Sequence, residues 1–396
     1  MSGTFQQIGA VTSLNLRNIP ARWSSSLVAV VGVAGVVLVL VAVLSIAEGF
    51  RATLDLAGSE DVAIVLRSGS DNEMSSGFGQ ETVPIIGDAT GVLRKGNDPI
   101  ASPELYVVVD VPMKKTGSPA NAPLRGVGPL ASATRKNFKM LSGRMFTTGT
   151  NEIIVGTGVA QQFDGLGIGK TVRWGPTTWT VVGEFSDGGS VSESEIWADA
   201  RVVQNAYNRG TSYQSVRVKL QSASAFNAFK DALTSDPRLS VSVQREKEFY
   251  AEQSRILRTI VSKAGWTLAI MMGVGAIFAA LNTMYNAVAG RVREIATLRA
   301  MGFGALPVVV SVLVESLVLG AVGGLLGGVL AFLFLDGLRS STLNFQNFSQ
   351  ITFAFTITPQ LILTGIIYGL ILTLVGGLLP GIRAARLPVT EGLRQL

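Results

Sequence analysis

Residues 24–47, 264–290 and 353–382 contain no charged side chain, and residues 300–335 contain one, Glu315. About 20 apolar residues cross a bilayer core of about 30 Å, so each stretch predicts a transmembrane helix. Between the first and second the pattern changes to short β-rich runs at 62–66, 106–111, 152–155, 171–174, 179–182 and 215–220. Gly-, Ser-, Asn- and Pro-rich loops separate them, notably 68–80 and 112–123. From 215 a strand, a helix over 223–233 and a strand over 239–244 predict a β-α-β unit. Residues 247–263 are polar but free of Pro and Gly, and run straight into the second apolar stretch. A helix over 247–288 would be about 60 Å long at 1.5 Å per residue, so half of it should project as a stalk. The first span should also continue outward, through Phe50 and Leu54, to stop at Gly58. The short connection between spans 3 and 4 reads as a loop with Asp336 and Arg339.

The expected fold class is therefore an α-helical membrane protein with four transmembrane helices plus a mixed α/β extracytoplasmic domain between helices 1 and 2. Residues 1–50 form the N-terminus and span 1, 51–255 the extracytoplasmic domain, and 256–396 the stalk and spans 2–4.

Charge orients the chain. The net charge is +6, yet residues 51–255 carry 22 basic and 22 acidic side chains. The excess lies beside the spans: Arg17 and Arg22 before span 1, Arg291, Arg293 and Arg299 between spans 2 and 3, and Arg383, Arg386 and Arg394 after span 4. This is the basic bias of cytoplasmic loops. A nucleic-acid partner would need the excess on a soluble surface, so none is expected. Both termini and the 291–306 loop are expected in the cytoplasm. Residues 13–23 suit a short interfacial segment with Trp23 at headgroup level, and Ser24, Ser25 and Ser26 offer N-caps for span 1. The first apolar run exceeds a signal-peptide core of about 7–15 residues, and reads as a retained anchor.

There is no cysteine and no histidine, which excludes disulfides, His-based metal sites and Ser-His-Asp chemistry. The run D-G-L-G-I-G-K-T at 164–171 ends like a phosphate-binding loop. Its first glycine position holds Asp164, however, and β-rich sequence follows where a helix N-terminus is needed; a turn before a strand is expected. Asp187, Glu193 and Glu195 share a Gly/Ser-rich loop and read as solvated, with cation binding as the alternative. Glu315, inside span 3, must find a polar partner or serve a polar site. Gly320, Gly323, Gly324, Gly327 and Gly328 form small-xxx-small rows, fit either for packing within the chain or for a dimer interface.

Residues 291–302 interrupt this apolar sequence. On a helix, Val292, Ile295 and Leu298 share one face, with Met301 drifting along it, while Arg291, Arg293, Glu294 and Arg299 hold the others. Gly302 and Gly304 stop the helix and Pro307 begins span 3. Arginines alone would satisfy the charge bias; the embedded glutamate and apolar stripe suggest a surface that docks into a partner's groove.

At these residues the sequence resembles a known family. Arg293-Glu294-Ile295-Ala296-Thr297-Leu298-Arg299-Ala300-Met301-Gly302 is similar to the coupling helix of MacB/FtsX-type ABC transporter permeases. Val314-Glu315-Ser316-Leu317 and Gly323-Gly324-Leu325-Leu326-Gly327 resemble that family's third span. The stretch from Pro380 through Arg383, Arg386 and Val389, followed by Glu391-Gly392-Leu393-Arg394, resembles its tail. Ser142-Gly143-Arg144, Asn151 to Gly156 and Thr180-Val181-Val182-Gly183 resemble its periplasmic region.

The resemblance implies a permease homodimer or heterodimer in a bacterial inner membrane, surrounded by membrane lipids. It implies a cytoplasmic ABC ATPase subunit contacted through Arg293, Glu294, Ile295, Leu298, Arg299, Met301 and Gly302, with a periplasmic adaptor and an outer-membrane channel as further partners. It also implies mechanotransmission, in which ATP-driven closure of the ATPases moves the stalks and external domains to drive export or extraction of a substrate. The chain reaches span 1 within about 25 residues and shows no Walker motif, so ATP and Mg are expected on a separate ATPase polypeptide, with no cofactor bound directly and no enzyme activity of its own. The FtsX branch implies an alternative, a transmembrane regulator that activates a periplasmic cell-wall hydrolase.

Overall fold

A computed structural model describes residues 2–17, 23–344 and 349–389. Its helices are α1 (Ser2–Arg17), α2 (Trp23–Ala57), α3 (Thr82–Gly87), α4 (Thr157–Gln162), α5 (Ala200–Ala206), α6 (Phe226–Thr234), α7 (Glu246–Ala289), α8 (Val292–Ala300), α9 (Ala305–Leu335) and α10 (Pro359–Arg386). Its strands are β1 (Val62–Arg67), β2 (Arg94–Lys95), β3 (Asp98–Pro99), β4 (Ala101–Pro112), β5 (Pro119–Val127), β6 (Lys139–Gly143), β7 (Glu152–Gly156), β8 (Thr171–Trp174), β9 (Thr177–Ser186), β10 (Ile196–Asp199), β11 (Ser215–Lys219), β12 (Val241–Arg245), β13 (Arg339–Asn344) and β14 (Ser349–Ala354). The chain forms two compact units. A helical unit comprises Met1–Glu48, Thr259–Leu338 and Phe355–Leu396; a β-rich unit comprises Gly49–Arg258 and Arg339–Ala354.

In the helical unit, α2, α7, α9 and α10 are each long and apolar enough to cross a membrane. Small residues set how closely they pack. A Cβ at Gly320, Gly324 or Gly328 would lie 2.1, 2.9 or 2.9 Å from Thr373, Ile366 or Ile362 of α10, while one at Gly323 or Gly327 would lie 2.9 or 2.4 Å from backbone oxygens of α2. All five glycines are thus used inside the chain, one row on each neighbour. Gly265 leaves α7 unbroken and takes Val43 of α2 against its bare face. Thr358 caps α10 by accepting from Leu361 N, and Pro359 occupies the first turn, where its missing N–H costs nothing.

Two N-terminal expectations change. Residues 2–17 are a full helix, α1, whose Val11 and Asn15 are buried. Helix α2 is already running at Trp23, so Ser24, Ser25 and Ser26 lie in its first turn rather than at its cap. Residues 18–22 of the expected interfacial segment lie outside the described residues, as do Glu391 to Arg394 of the tail motif.

The β-rich unit is built on one sheet in the order β12-β1-β11-β4-β5-β10-β7-β9-β6, with β8 on β9. Strand alternation assigns its faces. Ala63, Val65, Val216, Val218, Val241 and Val243 face α6, whose Phe226, Phe229 and Leu233 close one core. Leu105, Val107, Leu124, Ile153, Val155, Val181, Ile196 and Ala198 face α4 and α5 in a second core around Trp179. The expected β-α-β unit exists but is split, because β1 pairs antiparallel with both β11 and β12 and lies between them. Two expectations fail. Residues 112–123 are not all loop, since β5 starts at Pro119 and pairs along β4 from Pro112↔Pro119 to Leu105↔Gly126. The connection between α9 and α10 is a hairpin, β13–β14, that belongs to the β-rich unit. Its Ile351 and Phe353 alternate inward to 3% exposure, and Ala354 O comes within 2.0 Å of where a Cβ at Gly49 would stand, so α2 must be bare there.

Candidate functional site

Helix α8 is nine residues long, too short to hold its shape without support. Three ties fix it to its own unit. Arg291, the residue before the helix, donates from Nε to Ala287 O at the end of α7 at 3.2 Å and pairs through Nη2 with Glu315 of α9. Both members of this pair are about 3% exposed. Arg299 Nη1 donates to Ala385 O at 2.7 Å and Leu387 O at 3.0 Å, satisfying free carbonyls where α10 ends. Ile295 is 7% exposed among Val288, Val308, Val312 and Ala384. Gly302, at φ +93°, then turns the chain toward α9.

The apolar stripe therefore points inward. Ile295 and Arg299 hold α8 in place rather than presenting it, and Leu298 is half-buried; a stripe on one helix states that a face is covered, not by what. The face left open carries Arg293, Glu294, Thr297 and Ala300, followed by Met301 at 64% exposure. Glu315 has a named partner, Arg291, that its sequence position did not reveal. Helix α1 completes the surroundings: Asn15 Nδ2 donates to Ser311 Oγ of α9 at 2.6 Å, and Val11, Leu14 and Asn15 line a small cavity with Glu294 and Leu298.

The β-rich unit holds a second polar constellation. On the sheet face opposite its helices, alternation turns Glu104, Arg125 and Arg217 inward, one position out of step with Leu105, Leu124 and Val216. Arg125 donates from Nε and Nη2 to Glu195 at 2.9 and 2.7 Å, from Nη1 and Nη2 to Glu73 at 2.8 and 2.9 Å, and from Nη1 to Glu104 at 2.9 Å. Arg217 donates from Nε to Glu104 at 2.9 Å, pairs through Nη1 with Glu246, and donates from Nη2 to Tyr250 Oη at 2.9 Å. Arg135 adds a third guanidinium on Glu104 at 3.0 Å. Three arginines and four glutamates are thus each 7% exposed or less. Because Glu246 and Tyr250 stand one turn apart at the start of α7, this cluster is where that long helix is fastened to the sheet. Of the seven, sequence named Glu195 alone, and as part of a solvated loop; the other six were not singled out. The available signal was a charge at the inward position of an apolar strand, as in V-R-V at 216–218.

Burial alone would raise the carboxyl pKa of Glu73, but the guanidiniums of Arg125 and Arg217 overcome it and hold the group well below its ordinary value of 4.5. Glu104 is lowered in the same way, with Arg135, Arg217 and Arg125 outweighing burial. A carboxylate lowered in the folded state stabilises above its unfolded pKa, and that contribution is lost as pH falls through the folded value. Burial raises the carboxyl pKa of Glu246 in the same cluster to about 6, a contribution gained as pH falls, so melts of the whole chain should hold or rise from neutrality to about pH 5 and decline progressively below about 4.5. A midpoint unchanged down to about pH 3 contradicts this.

The acidic loop is a further correction. Asp187, Glu193 and Glu195 are buried, at 2%, 6% and 4% exposure. Glu193 accepts from Ser186 Oγ, Thr157 Oγ1 and the amides of Asp187 and Gly189, so it organises its own loop. The glycine run at 164–171 is a turn before β8: Gly169 N donates to Val181 O at 2.8 Å, and Thr171 opens a strand rather than a helix.

A family model described as MacB-like periplasmic core domain matches residues 26–236. A second, FtsX-like permease C-terminal, matches residues 266–389. The uncharacterized ABC transporter permease protein Rv0987 of Mycobacterium tuberculosis (strain ATCC 25618 / H37Rv) is 26% identical over 274 residues, covering 66% of this chain. This chain spans 31% of that relative's length. Among solved structures, the extracellular domain of the noncanonic ABC-type transporter YknZ from Gram-positive bacteria is 17% identical, with TM-score 0.36, over 46% of this chain and 100% of its own. The periplasmic region of MacB from Actinobacillus actinomycetemcomitans is 14% identical, with TM-score 0.37, over 49% of this chain and 92% of its own.

Proposed function

The chain belongs to the MacB/FtsX-type permeases of ABC transporters, and we propose that it couples ATP hydrolysis on a separate ATPase subunit to movement of its β-rich unit, driving export or extraction of a substrate. In this reading α8 and both termini face the cytoplasm and the β-rich unit faces outward, as the basic flanks of the spans favour. ATP and Mg sit on the ATPase. The permease works as a dimer, and an adaptor extends the assembly outward.

The observation that supports this most is the seating of α8. A short helix is tied at its start to α7 and α9 and at its end to α10, so a push on its open face is delivered to three spans at once. Interfaces of this kind are carried by few residues, here Arg293, Glu294 and Met301. The double change Glu294→Arg with Met301→Asp should lower co-purification of the ATPase about tenfold, the scale of one or two lost interface contacts, while the melting temperature of the chain holds. Unchanged capture and unchanged ATP hydrolysis by the complex would reject the assignment.

A further inference from the structure

The hairpin β13–β14 and helix α4 enclose a cleft of about 310 Å³. Its charged lining residues are Lys115, from the turn after β4, and Arg339, the first residue of β13; no carboxylate lines it. Neither cation forms an ion pair among the described residues. Arg339 Nη1 donates to Gln161 Oε1 at 2.9 Å, which aims the guanidinium across the opening and leaves the Gln161 amide nitrogen as a donor. The wall behind is locked: Gln162 donates to Ser341 Oγ at 2.6 Å and accepts from Thr352 Oγ1 at 2.8 Å. Two unpaired cations and a free amide on a fixed polar wall form a receptor for an oxyanion.

Chain connectivity says where that oxyanion resides. Arg339 follows the end of α9 at Leu335 by four residues. Four extended residues span about 14 Å at most, and the headgroup layer beyond the hydrocarbon core is about 5–8 Å deep. Arg339 is therefore tethered within reach of the lipid headgroups, whichever side of the membrane this is. The volume is at the low end of small-ligand sites, suited to a phosphate-bearing headgroup but not to a whole lipid. We propose that this cleft binds the phosphate of an anionic lipid headgroup, held between Arg339 and Lys115. The site depends only on α9 and α10 crossing a bilayer. It stands or falls apart from ATPase coupling.

Because the chain has no cysteine, Met113→Cys places a single thiol in the cleft wall without removing a proposed ligand. Full-length protein in nanodiscs is alkylated with a soluble maleimide. Phosphatidylglycerol added to phosphatidylcholine discs should slow labelling about fivefold or more, as expected for a charge-assisted contact. Adding Lys115→Gln with Arg339→Gln should abolish the protection, whereas Lys115→Arg with Arg339→Lys, which keeps both charges, should retain it. Equal labelling in the two lipids overturns the proposal, as does protection that survives the double neutralisation. Protection by inorganic phosphate in phosphatidylcholine discs, with none added by phosphatidylglycerol, overturns the headgroup assignment in favour of a soluble phosphate ligand.

Discussion

Arg125→Met should destabilise the β-rich unit by about 3–5 kcal/mol, the cost of stripping a buried charge of its partner. Arg125 is the hub of the cluster: it bonds Glu73, Glu104 and Glu195 at once, at 2% exposure, and its guanidinium lies 5.0 Å from the Tyr106 ring centroid. Methionine replaces the apolar stem, reaching about as far as Nε, but leaves three carboxylates facing one another. A natural domain is held by about 5–15 kcal/mol in total, so the loss takes a large share. The control is Arg144→Met, which breaks the exposed Arg144–Glu152 pair and should change little, as surface pairs contribute about 0–1 kcal/mol. Denaturant or thermal melts of the full chain measure both. If Arg125→Met melts within about 1 kcal/mol of the parent, the cluster is not a structural joint.

The second large effect concerns Arg291 and Glu315. Arg291→Leu alone leaves a carboxylate buried among apolar helices, and Glu315→Leu alone leaves a buried guanidinium. Each should cost about 3–5 kcal/mol. The double change removes both charges together and should regain most of that stability, since an apolar pair of similar volume is often as stable as the ion pair. Function should separate from stability. In the double variant α8 loses its polar tie to α7 and α9 and keeps the packing of Ile295, so the ATPase should still bind while its hydrolysis responds less to the permease. Melting temperature and permease-stimulated ATP hydrolysis, measured on the three variants, decide this. A double variant that is stable and fully stimulated removes the pair from the coupling path.

Much of the helical architecture was legible because it rests on composition. A charge-free run of 20 or more residues has few alternatives, and the unbroken polar run at 247–263 led to α7 almost residue for residue. Strands marked by a continuous apolar run, as in β1, or by regular alternation, as in β8, were equally plain. Strand β5 was not: P-A-N-A-P-L-R-G-V has two prolines, an asparagine and a glycine, and reads as loop. It is a strand because β4 and β10 pair with it on both sides, a tertiary fact. The hub of the charge cluster lies on that unread strand, and its partners are scattered from Glu73 to Glu195, so no local spacing could assemble them. The glycine rows of α9 were visible as rows, but whether they met α2, α10 or a second chain needed coordinates. For α8 the stripe was visible and its direction was not, because periodicity is blind to which neighbour covers a face.

The position of β1 bears on how the chain comes into being. Val62 lies opposite Lys219, and Ala63 opposite Arg245. A strand made early is thus sandwiched between two strands made much later. During synthesis β1 follows the first span directly, yet it has no sheet partner until residue 215 and no second one until 241. Pairing over such separations is slow and leaves strand edges exposed meanwhile. The nascent β-rich unit should therefore stay open, and sensitive to protease, until α6 and β12 have emerged. Its closing hairpin, encoded beyond α9, arrives only after the third span is made.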